Sequence, residues 1–361
     1  MELKDKTTPN FQVDVRCFTF NQSKYITDTM NGFCMQQTNF PFICCIVDDA
    51  STDREQEVID EYLKDNFDFS DGSEAYKKET DYGYITYARH KTNRNCYFYV
   101  IYLKENHFSN PAKCMGVREG YLKTWRDSCK YEATCEGDDY WKNSAKIQKQ
   151  YDFLESHPDY SVCSHVYDNY LENDGVFQKN RYFSKLPYIT EGNFKYYKIS
   201  LDNYWKYWVT QPLSCMVRAV ENIQNTIPKD KYDRFYDVYY YYYFLKAGKG
   251  ALLSDNMGVY RINNTGIWSS KAKEDRYLFK IKQALNVYIV ENDERPLVVF
   301  SKVLTSLLYY YLSRCQISQA IGAIRNYGKL VPSKYLVESM ASLPYFCVYN
   351  LARKVYKILI K

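Results

Sequence analysis

The chain has 361 residues, 46% of them hydrophobic, 25% charged and 18% aromatic, a mixture ample for one large domain or two smaller ones. That composition excludes disordered and fibrous classes, and a formal charge of +5, from 48 basic and 43 acidic residues, is too balanced for nucleic-acid binding across the whole chain. The charge is unevenly spread: Lys271 to Lys361 holds 15 Lys or Arg against 6 Asp or Glu, whereas residues 1–270 hold 33 against 37. A near-neutral body therefore carries a basic tail. Twelve cysteines lie scattered without any C-x-x-C spacing, which fits reduced thiols in a cytosolic protein. Met1 to Asn10 is polar and lacks a signal peptide's apolar core, and no apolar run approaches the ~20 residues of a membrane span, so a cytoplasmic location is expected.

In chain order, Val13 to Phe20 reads as a strand and Lys24 to Gln37 as a helix, with Ile26, Met30, Phe33 and Gln37 on one face. Phe42 to Val47 is a short, wholly apolar run closed by Asp48-Asp49, the pattern of a buried central strand. Thr52 and Glu55 fit a capping box that opens a helix bearing Val58, Ile59, Tyr62 and Leu63. A polar loop over Asp68 to Thr80 leads to a strand at Gly83 to Tyr87, followed by a segment of unassigned type. Tyr131 to Cys135 is a further short strand, and a helix through Ile147, Tyr151 and Leu154 stops before His157-Pro158. Strands at Tyr160 to Tyr167, Pro212 to Arg218 and Gly258 to Ile262, with a helix at Val238 to Lys246, complete an open α/β sheet covered on both faces. Near residue 270 strand patterns give way to helical periodicity, as in Leu278, Ile281 and Leu285.

Two acidic groups follow predicted strands, where ligands of an open α/β sheet bind. Asp48 and Asp49 read on spacing alone either as a turn before a helix cap or as ligands. Glu136, Asp138 and Asp139 read either as a polar loop turning at Gly137 or as hard oxygen donors for Mg²⁺ or Mn²⁺ bridging to a diphosphate. Asp237 precedes an aromatic helix, as a dipole-favoured first-turn acid or, if it faces the crevice, as a base. The four histidines form no metal spacing, and the phosphate-loop, dinucleotide and nucleophile-elbow motifs are absent.

Several of these strings, in order, resemble the family 2 inverting glycosyltransferases of the GT-A fold, of the bacterial surface-polysaccharide type. Phe18-Thr19-Phe20-Asn21 looks like the T-[YF]-N segment closing the first strand, and Gln36-Gln37-Thr38 like the end of the first helix. Val47-Asp48-Asp49-Ala50-Ser51-Thr52-Asp53 is similar to V-D-D-G-S-T-D, with Ala50 a mild replacement of Gly. Glu136-Gly137-Asp138-Asp139 stands where the family keeps D-x-D-D, and Asp237, Val259-Tyr260-Arg261-Ile262 and Gly266-Ile267-Trp268-Ser269 resemble its base-to-Y-R block. Asn263 takes the place of the usual His. Gln178 to Tyr182 mimics the processivity motif Q-x-x-R-W but precedes Asp237 and lacks the Trp, so single transfers are expected.

The resemblance implies a GT-A catalytic domain over residues 11–270, between a polar segment at 1–10 and a helical basic region at 271–361. It also implies Asp237 as catalytic base; Phe18, Phe20, Asp49 and Asp138 at the nucleotide; Asp139 on the divalent metal, Mn²⁺ or Mg²⁺; and Glu136, Asp48, Arg261 and Trp268 in support. The expected partners are a nucleotide-diphospho-sugar donor and a glycan or lipid-linked acceptor, with no nucleic acid. The basic end, with Arg353, Lys354, Lys357 and Lys361, reads as a helical subdomain or as a peripheral contact with the inner face of the cell membrane. The alternative from another class is a catalytically silent nucleotide-sugar-binding or scaffolding subunit.

Overall fold

The computed structural model describes residues 9–359 except 114–115, 117–118, 181, 208, 220–222, 224–226, 229–230, 232–235, 264–265 and 267–270, with backbone alone at 111, 119, 124, 182, 346 and 348–359. The chain divides into two compact units, Met1–Ser200 with Trp208–Ile262, and Leu201–Tyr207 with Asn263–Lys361.

The first unit is an α/β protein built on one mixed sheet. Its strands are β1 (Val13–Thr19), β2 (Phe42–Asp48), β3 (Tyr76–Thr80), β4 (Gly83–Arg89), β5 (Cys96–Leu103), β6 (Tyr131–Thr134), β7 (Tyr140–Trp141), β8 (Tyr160–Leu171), β9 (Val176–Lys179), β10 (Tyr188–Glu191), β11 (Phe194–Ile199), β12 (Met216–Arg218) and β13 (Lys249–Ile262). They form one mixed sheet in the order β10-β11-β13-β8-β12-β6-β1-β2-β5-β4-β3, with β7 on β13 and β9 on β8. At its centre β6, β1, β2 and β5 run parallel, so their carboxyl ends share one edge. From β1 the chain goes first to β2 and later returns to β6 on the other side, and this reversal opens a crevice at the carboxyl ends.

Strand β2 is buried at every residue, as its uninterrupted apolar sequence requires, and alternation divides it between two cores. Cys44 and Ile46 join a core with Ile26, Met30 and Phe33 of α1 (Ile26–Cys34), Ile59 and Leu63 of α2 (Glu55–Asn66), and Ile147 and Leu154. Ile43, Cys45 and Val47 face the opposite core, built on Leu122 and Trp125 of α3 (Glu119–Arg126). Phe33 packs edge-on to Phe98 and Trp141, and its truncation to alanine would cost about 3–5 kcal/mol. A Cβ on Gly32 would lie 2.9 Å from the Trp141 backbone nitrogen, so glycine sets the close approach of α1 to β7. The helices α4 (Lys146–Ser156) and α5 (Asp237–Ala247) complete the elements around the crevice.

Several expectations need correction. The polar stretch before Gly83 contains β3, the charged and exposed outer strand of a hairpin with β4. The unassigned segment contains β5, buried throughout and paired with β2. Pro212–Ser214 is a 3₁₀ turn, leaving only Met216–Arg218 as strand. Thr52 and Glu55 form no capping box: α2 starts after Arg54 in the left-handed region, Thr52 faces Asn21, and the Glu55 carboxylate reaches across to β1.

The second unit is helical: α6 (Lys273–Glu291), α7 (Leu297–Leu312), α8 (Ile317–Gly328) and α9 (Ser333–Leu359). Its core joins Ile281 and Leu285 of α6, Phe300, Leu304 and Leu308 of α7, and Ala320 of α8. Among the described residues no helix is long and apolar enough to cross a membrane, and no cysteine is disulfide-bonded.

Candidate active site

The crevice is lined by three chain segments, each leaving a central strand. After β6 the chain turns sharply: the Cys135 N–H bonds Arg16 O, the Gly137 N–H bonds Phe18 O, and the Asp139 N–H closes on Glu136 O at 3.1 Å. A Cβ on Gly137 would stand 2.3 Å from Thr19 Oγ1 and 2.4 Å from Gln22 Oε1, so only glycine lets this turn press against β1. The Thr29 hydroxyl of α1 lies 2.6 Å from the Asp139 carbonyl and 2.9 Å from that of Gly137, and holds the turn from the other side.

Carboxylate oxygens of Glu136, Asp138 and Asp139 lie within 4.8 Å of one another. Asp139 is buried; its Oδ1 accepts the Arg261 N–H at 2.8 Å, while its Oδ2 is buried with no hydrogen-bond partner. Burial drives the Asp139 carboxyl well above the usual carboxylate range, and repulsion from Asp138 and Glu136 adds to the rise. Glu136 is raised in the same way, by burial first and then by the charges of Asp237 and Asp138. The negative field extends to the Tyr260 hydroxyl and the Cys17 thiol, both pushed up by burial and by these acids. Hard oxygen donors, mutual repulsion and an unpartnered buried oxygen together fit a divalent cation. The sequence therefore marked three acids that the fold does bring together.

Asp237, the first residue of α5, is exposed at the helix N-terminus, and its charge contributes to the rise of Glu136. Arg261 acts chiefly through its backbone. Its guanidinium pairs with Asp28 at 2.9 Å and lies over Tyr25 and Tyr140, 4.6 and 5.4 Å from their ring centroids. Asn263, in the second unit, is buried and accepts the Gly266 N–H at 2.6 Å. Trp268 lies outside the described residues.

At the end of β2, Asp48 is buried; its Oδ2 accepts from Gln56 at 2.6 Å and its Oδ1 has no hydrogen-bond partner. Asp49 has a structural role that its motif did not reveal. Its two oxygens accept the His107 and Phe108 N–H groups at 2.7 and 2.8 Å, fixing the loop after β5. Phe20 is 44% exposed beside this edge, whereas Phe18 is half-buried against the core. Sequence reasoning also missed Glu55, a buried carboxylate that accepts from the Thr19 hydroxyl, the Gln22 N–H at 2.8 Å and the Ser51 hydroxyl at 2.8 Å. Its signal was an acid four residues after Ser51 on a helix whose apolar face is narrow. Ala50 occupies the left-handed region at φ 64°, so replacement of the family's Gly carries strain and is not mild.

Residues 17–95 match the family model described as glycosyl transferase family 2. Over 261 residues the chain is 28% identical to uncharacterized proteins of Mycobacterium tuberculosis (Rv1520) and Mycobacterium bovis (Mb1547), covering 72% of this chain. The chain spans about three fifths of the length of these curated relatives, 61%. The crystal structure of S. aureus TarS 1-349 in complex with UDP-GlcNAc superimposes with a TM-score of 0.54 at 18% identity, over 92% of this chain and 88% of that one. The complex of the same fragment with UDP gives a TM-score of 0.53. The ordered V-D-D and acidic-turn motifs on this sheet, the match of residues 17–95 to glycosyl transferase family 2 and the fold shared with TarS agree: this chain resembles the family 2 glycosyltransferases and has their GT-A fold.

Proposed function

We propose that the protein transfers one sugar from a nucleotide-diphospho-sugar to a hydroxyl of a glycan or lipid-linked acceptor, with inversion, in surface polysaccharide synthesis. The observation that carries this reading is the acidic turn at the sheet's switch point, with Asp139 buried, its Oδ2 unpartnered, and the Asp237 charge helping to raise Glu136. Glu136, Asp138 and Asp139 would hold Mn²⁺ or Mg²⁺, which when bound supplies positive charge to the diphosphate as it leaves. Asp49 orders the 106–108 loop and keeps acceptor capacity beyond its two backbone bonds, so it and the exposed Phe20 ring bind the nucleoside. Asp138 stands beside ribose and diphosphate. Asp237 takes the acceptor's hydroxyl proton as the oxygen bonds to the anomeric carbon; the bond to the diphosphate oxygen breaks on the opposite face, inverting the centre.

The test is nucleoside diphosphate release from a panel of nucleotide sugars with Mn²⁺ or Mg²⁺, comparing the native chain with Asp139→Ala and Asp237→Asn. Metal-dependent release lost in both variants supports the transferase. Donor binding without turnover, even with lipid-linked acceptors present, would instead favour a silent nucleotide-sugar-binding subunit.

A further inference from the structure

Acidic residues of the second unit are concentrated in and around α6, and the α7–α9 stretch is almost purely cationic. Residues 297–361 contain nine Lys or Arg and a single acid, Glu338. Lys302, Arg314, Arg325, Lys329 and Lys334 are all exposed.

Helices α8 and α9 also carry apolar side chains beyond those that reach the unit's core. Ala320 and Ile324 of α8 and Leu336 and Leu343 of α9 pack into the unit's core. At the outer edge of the α8 apolar stripe, Ile317 and Ile321 stand one turn apart and remain 60% and 52% exposed, with Arg325 a turn further on. On α9, Val337 and Tyr345 share a stripe with Met340 beside it, Tyr345 being 77% exposed. Leu330, in the connection between the two helices, is exposed as well.

We infer that the outward faces of α8 and α9 dock on an anionic lipid bilayer, their apolar side chains entering the headgroup boundary and the surrounding Lys and Arg meeting lipid phosphates. The sign of the charge selects this occupant. A second copy meeting this face symmetrically would set Arg325 and Lys329 near their own counterparts, a like-charge juxtaposition that opposes pairing. The inference deepens the lipid-linked-acceptor reading and rests on it for its purpose, though not for its geometry.

The test uses the full chain, sedimented with vesicles of phosphatidylcholine alone or mixed with phosphatidylglycerol, at low and high salt. Binding is expected only to the anionic vesicles and should fall with salt. Arg325→Gln with Lys329→Gln should weaken it about 25-fold, since each basic side chain near such a surface contributes about fivefold. Ile317→Ser with Ile321→Ser should weaken it at least about tenfold with the far-ultraviolet circular dichroism unchanged. Equal partition to neutral vesicles, absence of binding, or insensitivity to both double variants would overturn the inference. So would a dimer in light scattering that Ile317→Ser/Ile321→Ser dissolves. Nucleoside diphosphate release is followed in parallel without vesicles, with a detergent-solubilised lipid-linked acceptor present. Vesicle binding without release counts against the transferase reading and supports the lipid surface, and release without vesicle binding does the reverse.

Discussion

Replacing Lys146 by methionine should stabilise the protein. Lys146 opens α4, is fully buried, and has its Nζ 3.6 Å from the Trp141 ring centroid with no hydrogen-bond partner. The thiols nearest in its electrostatics, Cys135, Cys163 and Cys215, are held neutral by the same burial and offer no counter-charge. Burial lowers its pKa from 10.5 to about 7. At about 1.4 kcal/mol per pH unit, that interval represents about 5 kcal/mol. Between about pH 7 and 10.5 the unfolded lysine keeps its proton while the folded one has lost it, so the unfolded state binds more protons and stability rises with pH. Below about pH 7 the full penalty is present. Methionine keeps the length and a sulfur contact with the ring but forfeits about 2 kcal/mol of cation–π attraction, leaving a net gain of about 2–3 kcal/mol near pH 7. Urea denaturation of both proteins from about pH 7 to 10 measures the difference, which should fall by about 1.4 kcal/mol per pH unit and reach zero at about pH 9. A gap independent of pH, or a destabilised variant at neutral pH, would refute the reasoning.

Ala50→Gly should raise stability by about 1 kcal/mol, read from the urea midpoint, because glycine carries no Cβ penalty at φ 64°. Asp139→Asn should raise the urea midpoint in chelator, by removing a carboxylate from a buried repulsive cluster, and abolish any stabilisation by added Mn²⁺. Unchanged Mn²⁺ protection in that variant would remove Asp139 from the metal site. Asp49→Asn replaces one of two charged acceptors on the 106–108 loop and should cost about 1.5–3 kcal/mol. Limited proteolysis at that loop should accelerate, and donor affinity should fall with it.

What could be read in advance was whatever local pattern alone determines. β2 was readable because nothing but an interior strand accommodates Phe42 to Val47, and the acids after β2 and β6 were readable because like charges cluster there. β5 was obscured by Tyr97, Tyr99 and Tyr102, which look amphipathic although the fold buries them completely. β3 was obscured for the opposite reason, since outer strands carry charges such as Lys77, Lys78 and Glu79 that pattern reading assigns to loops. The parts that make the site rigid were beyond local pattern altogether. Thr29 meets Asp139 from 110 residues away, and the Arg261 N–H from 122. The Asp49 grip on His107 and Phe108 spans 58 and 59 residues and uses backbone donors that every sequence possesses.

The Arg261 contacts also set an order of events during synthesis. This residue ties the acidic turn to β13 and, through Asp28, to α1, a partner 233 residues earlier. Loop closure over that distance precedes any reward from the contacts it brings, so the acidic turn is fastened late in folding. A nascent chain that ends before β13, at about residue 248, can lay down β1, β2 and β5, yet the acidic turn has no β13 to fasten it. The geometry of the turn is thereby completed only once β13, the last strand of the first unit, has emerged.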